Sequence, residues 1–135
     1  MNENEITAFK NELRNYRFYQ NKVKELKEEI DLIYYNLTGV KGVSFDRQPS
    51  GTSIELKNDK LYNQYHKLDN IDKKIKLYES RIESIEQTLN MLDEEVRSIV
   101  IGIYADNKTY RELSQTIHLS KSAIHYEINK HLKMI

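Results

Sequence analysis

The chain has no cysteine, so neither a disulfide framework nor a cysteine-based zinc site is open to it. Proline occurs once and glycine four times in 135 residues, and the proline and three of the glycines fall between residues 39 and 51. Everything outside that window is free to be helical. No apolar run approaches the ~18 residues that a membrane-spanning helix needs. Net charge is missing as well: 21 Lys and Arg meet 21 Asp and Glu, a balance that argues against a strongly basic, sequence-indifferent polyanion binder. The opening MNENEITAFKNE is acidic and polar, unlike a signal or transit peptide, so a soluble intracellular protein is expected.

What is present is helical rhythm. Between residues 4 and 37, Ile6, Phe9, Leu13, Tyr16, Val23, Leu26, Ile30, Ile33 and Leu37 recur mostly three and four apart, the pattern of an amphipathic helix of coiled-coil type. Gln20 occupies a seam position, and the three-residue steps from Gln20 to Val23 to Leu26 resemble a local stammer. A helix of about 34 residues runs about 50 Å and needs a partner along its length. A second seam supplies one: Leu61, Tyr65, Leu68, Ile71, Ile75, Tyr78, Ile82, Ile85 and Leu89, continuing to Leu92, Val96, Ile99 and Ile103. Asp93, Glu94 and Glu95 look like a fresh helix start, so a break or bend is expected near 90 to 93. The segment between the seams, 38 to 58, reads as an irregular loop whose Val40, Val43, Phe45, Ile54 and Leu56 fold back onto the hairpin tip, or as a contact surface for a partner protein or for DNA that uses Lys41 and Arg47. The fold class expected is all-α: a long antiparallel helical hairpin over 1–90, then a C-terminal helix-turn-helix over 91–135.

The last 27 residues, from Thr109, carry the strongest local signal. Thr109 and Glu112 form a capping-box pattern at the start of one helix; Leu113 and Ile117 share its inner face. Leu119 follows in a tight connection, and Ser120 can cap a second helix with Ile124, Ile128 and Leu132 four apart. From Asn107 onward, five Lys or Arg stand against two Glu, a local charge of +3. The polar positions of the second helix carry chemistry suited to phosphates and to base edges in a major groove. Lys121 and Ser122 sit at its N-terminal end, where the helix dipole favours phosphate, while His125, Tyr126 and Asn129 are placed for bases. The candidate DNA-contacting set is Arg111, Ser120, Lys121, Ser122, His125, Tyr126, Asn129 and Lys130. Weighed against this is a merely solvated face, and for Tyr126 a packing role.

Ser114 in the first helix, Leu119 after the turn, Ser120 as cap and Ile124 in the core resemble a helix-turn-helix of the sigma-70 region 4 type. Leu92 to Tyr104 (LDEEVRSIVIGIY) is similar to the helix that precedes the motif in that family, through Asp93, Arg97, Ile99, Val100 and Tyr104. His118 departs from the pattern, standing where such motifs usually have Gly at a position that often needs positive φ. Together with the hairpin and the loop VKGVSFDR, the chain resembles the small phage-encoded late-gene regulators of the RinA and ArpU group. That resemblance implies a sequence-specific transcription regulator in the cytoplasm of a bacterial host. Its partners would be double-stranded promoter or operator DNA and RNA polymerase, with no membrane involved, and the modest local charge adds a second copy of the chain, as a homodimer, or another protein.

Other readings stand beside it. Small terminase subunits also join a helical DNA-binding motif to an oligomerising coiled coil, and a helical protein-interaction module without DNA affinity is a third class. Neither metal nor cofactor is expected: His66, His118, His125 and His131 include no pair at the three- or four-residue spacing that puts two imidazoles on one helical face. No nucleophile-base pattern or glycine-rich phosphate loop is present, so binding rather than catalysis is expected.

Overall fold

A computed structural model describes residues 1–38 and 52–135, with side chains over 1–37 and 59–135. The described residues form six α-helices and one π-helical turn, with no strand: α1 (Glu3–Arg14), α2 (Tyr16–Thr38), α3 (Thr52–Asn90), α4 (Glu94–Val100), the π turn (Ile101–Ala105), α5 (Tyr110–Ile117) and α6 (Lys121–Met134). No helix among the described residues is long and apolar enough to cross a membrane. The expected docking role of the 38–58 segment falls largely outside the described residues. Its last part, expected to be irregular, is helical from Thr52; Gly51 is the final helix breaker there, and nothing after it opposes a helix.

The N-terminal rhythm is interrupted earlier than expected. Asn15 (φ −96°, ψ 0°) separates α1 from α2, and the inward residue of the next turn is Tyr19, 4% exposed, rather than Gln20. The buried run Leu13, Tyr16, Tyr19 therefore holds the consecutive three-residue steps, and they coincide with the break. Along α3, strict three-four alternation from Leu61 turns Gln64 inward and Tyr65 outward; Tyr65 is 60% exposed, a correction to its expected seam position.

Two compact units result. In one, residues 22–78, α2 and α3 pack through Ile33, Leu68, Ile71 and Ile75, flanked by Val23, Leu26, Ile30 and Leu37. Glu29 and Lys67 add a surface ion pair at 3.9 Å. The other unit joins residues 1–21 to 79–135, whereas the sequence suggested a boundary at 90/91. The difference arises because α1 packs against α6 and the π turn, contacts far too distant in sequence for periodicity to show. Within this unit the start of α2 runs antiparallel to the end of α3: Tyr16 Oη donates to Glu86 Oε1 (2.8 Å), and Arg81 Nη1 to Tyr19 Oη (3.2 Å). Burial, and then the hydrogen bond to Glu86, push the Tyr16 phenol up to about 12.

The break expected near 90–93 is present. α3 closes with bonds from Met91 N–H to Thr88 O and Leu92 N–H to Leu89 O (both 3.1 Å). Arg97, one turn into α4, reaches back so that Nε donates to Leu89 O (2.9 Å) and Nη2 to Leu92 O (3.0 Å). Its guanidinium thus donates to Leu92 O in the turn after α3 and adds a second, charged donor to Leu89 O.

The helix expected over 92–104 is α4 continued by the π turn. Gly102 lets α5 come close there: a Cβ at this position would lie 3.2 Å from Leu113 Cδ2. α5 is capped by Thr109, whose Oγ1 accepts from Glu112 N–H (3.1 Å), while the reciprocal half of the expected capping box, from Thr109 N–H to the Glu112 carboxylate, does not form. Ser120 Oγ accepts from Ala123 N–H (3.2 Å) and caps α6. Between the two helices, His118 is left-handed (φ 59°, ψ 26°). An L-residue costs about 1–2 kcal/mol in that conformation, partly offset by its smaller unfolded-state entropy. His118→Gly is therefore expected to raise stability by about 0.5–1 kcal/mol, read as an increased urea midpoint at constant m-value.

Candidate nucleic-acid interface

α6 divides cleanly by face. Ile124, Ile128 and Leu132 are 0% exposed, and the helix packs on α1, α4 and α5. Of the sequence-derived set, Ser120, Lys121, Ser122, His125, Tyr126 and Lys130 are exposed on α6 or at its cap, and Arg111 is exposed in the first turn of α5. Tyr126 is 64% exposed, so it does not pack into this core. Lys121 places its ammonium 5.4 Å from the centroid of the Tyr110 ring, a cation–π contact that tethers the start of α6 to α5.

Asn129 has different surroundings from those expected. It is half-buried, and its Oδ1 accepts from Lys10 Nζ at 3.1 Å. α1 thus covers this flank of α6, and the terminal amine of Met1 lies 3.4 and 3.3 Å from Leu132 O and Lys133 O. Lys10 takes one of the two lone pairs of the side-chain oxygen that bidentate pairing with adenine uses, so the bond orients the Asn129 amide and leaves its second lone pair open.

The sole side-chain carboxylate of α6 is paired with the next turn of its own helix. Glu127 is half-buried, and its Oε2 lies 3.1 Å from His131 Nε2 one turn later. The outward face of α6 consequently carries Lys121, Ser122, His125, Tyr126, Lys130 and Lys133 with no acidic side chain among them.

The sequence reading missed the contribution of the first helices. Lys10 and Arg14 stand over the Tyr104 ring at 5.4 and 5.7 Å from its centroid. Burial raises the Tyr104 phenol above its ordinary pKa, with the Arg14 charge opposing. Burial, and then repulsion from Arg14, lower the Lys10 ammonium. The available signal was the spacing of Lys10, Arg14 and Arg17 along one side of the N-terminal helix, but that spacing does not say what the side faces.

Arg17 differs in having a partner: its Nε donates to Asp106 Oδ1 at 2.8 Å, joining α2 to the segment after the π turn. This hydrogen bond holds the Asp106 carboxyl below its ordinary value of 3.8. A depressed carboxylate stabilises the fold fully above its unfolded pKa, and the contribution is lost as pH falls through the lower folded value. Both side chains are at least a third exposed, so about 0.2–1 kcal/mol is at stake. Comparing urea unfolding of wild type and Asp106→Asn at pH 6 and pH 3 is expected to give a stability gap at the higher pH that shrinks at the lower.

Among the described residues no group of three His, Asp or Glu is arranged to hold a metal ion. No family model, curated protein or solved structure matches the chain.

Proposed function

We propose that this chain is a sequence-specific, double-stranded DNA-binding transcription regulator in which α5 and α6 form a sigma-70 region 4-like helix-turn-helix and α6 enters the major groove. The observation that carries the reading is the outward face of α6, where cationic and neutral polar side chains stand without a carboxylate, the one Glu, Glu127, lying to the side against His131. Lys121, Ser122 and Arg111 meet phosphates; His125 and Tyr126 reach base edges; Lys130 follows the backbone. The function is binding, without catalysis or cofactor. By the resemblance in its motif, the protein is a late-gene activator of phage or prophage origin, acting beside RNA polymerase at a promoter in a bacterial cytoplasm, and pairing as a homodimer to supplement a modest local charge.

The double variant Lys121→Ala, Lys130→Ala tests the recognition face. Titration of labelled duplex is expected to show at least a tenfold loss of affinity with the circular dichroism spectrum unchanged; undiminished affinity would remove α6 as the reading element.

The exposed Leu32 (59%), Tyr62 (71%) and Leu77 (54%) of the helical pair favour a second reading, a DNA-binding assembly protein of the small-terminase kind. Native mass separates the two: a monomer or dimer fits the regulator, a ring of many copies the packaging component.

A further inference from the structure

Three cations lie along one side of the N-terminal helices at the spacing i, i+4, i+7: Lys10, Arg14 and Arg17. Their surroundings differ in a telling way. Arg17 is neutralised within the molecule by Asp106. Lys10 and Arg14 have no carboxylate partner among the described residues: Lys10 donates to the amide oxygen of Asn129, Arg14 to that of Asn11 (2.6 Å), and both rest on the Tyr104 ring. Two like charges on one ring repel, and the lowered proton affinity of Lys10 records part of that repulsion. In a chain with as many acids as bases, two adjacent cations supplied only with neutral oxygens and a π face are a site prepared for an anion from outside.

The position of the pair selects the anion. Lys10 touches Asn129 on α6, so the pair flanks the helix assigned to the groove, on the side that α1 covers. A helix lying in a major groove has a sugar–phosphate backbone along each side. We propose that Lys10 and Arg14 form a second, sequence-independent contact with the phosphodiester backbone of duplex DNA, beside the strand met by Lys121 and Lys130. This inference rests on the reading of α6 as the groove-entering helix.

The test is the salt dependence of binding, measured with the full-length chain and a short fluorescent duplex of mixed sequence. Each lost phosphate contact lowers the slope of log K against log salt by about 0.9. Lys10→Gln with Arg14→Gln is therefore expected to lower the slope by about 2, and Arg14→Gln alone, which leaves α6 untouched, by about 1. Arg17→Gln, removing a cation already held by Asp106, is expected to leave the slope unchanged. Circular dichroism of each variant checks that the fold persists. A wild-type chain that binds, with a slope lowered by Lys121→Ala but untouched by Arg14→Gln, would overturn the flanking contact and leave the α6 reading standing. A wild-type chain that does not bind duplex even at low salt would overturn both.

Discussion

Ile128→Ala lowers the unfolding free energy by about 2–5 kcal/mol, the range for deleting a fully buried aliphatic side chain from a core that collapses only partly around the cavity. Ile128 is 0% exposed and lies between Ile124 and Leu132, equally buried, on the inner face of α6. Removing three of its carbons takes contacts from the surface where α6 meets its neighbouring helices, so the loss falls on the element that carries the candidate interface. Tyr126→Ala, two residues away and 64% exposed, is expected to change stability by less than about 0.5 kcal/mol. The contrast is measurable by urea unfolding followed by far-UV circular dichroism. DNA affinity supplies the complementary readout: Tyr126→Ala weakens binding while the fold persists, whereas Ile128→Ala weakens it only as far as the folded fraction falls.

Arg97→Ala is the second large loss, about 2–3 kcal/mol. Its guanidinium makes two charge-assisted bonds to Leu89 O and Leu92 O, at the junction that turns the chain from α3 into α4. Hydrogen bonds to charged groups contribute about 1.5–3 kcal/mol, and truncation removes the charged donor from both carbonyls, leaving Leu89 O, at the end of a 39-residue helix, with only the Leu92 N–H. Arg97→Lys is expected to recover less than half of the loss, because an ammonium lacks the fixed fork that spans two carbonyls. Equal stability of the alanine variant and wild type would show that Leu89 and Leu92 are served as well by water.

Local chemistry was legible in the sequence. The left-handed turn at His118 was signalled only by the motif that the segment resembles, from whose usual Gly it departs, whereas the break at 90–93 and the caps at Thr109 and Ser120 followed from the residues within one helical turn of them. So did the division of α6 into an inner face of Ile124, Ile128 and Leu132 and an outer polar face, since both depend only on helical period. Near-degenerate spacing was harder to read: Tyr19 against Gln20, and Gln64 against Tyr65, differ by one position, and an assumed four-residue step chose wrongly at the first and hydrophobicity at the second. What no local pattern carried was the docking of α1 on α6. Lys10 and Asn129 are 119 residues apart, and their bond depends on the whole path of the chain between them. For that reason Asn129 looked free in the sequence, and the cation pair beside it went unremarked.

The most direct measurement is selection of bound duplexes from a randomised library by the purified chain, run in parallel with Lys121→Ala, Lys130→Ala. A regulator that reads DNA through α6 enriches one common sequence, and the variant fails to enrich it. Recovery of unselected sequence by the wild type, or the same enriched sequence in both, would contradict site reading by α6.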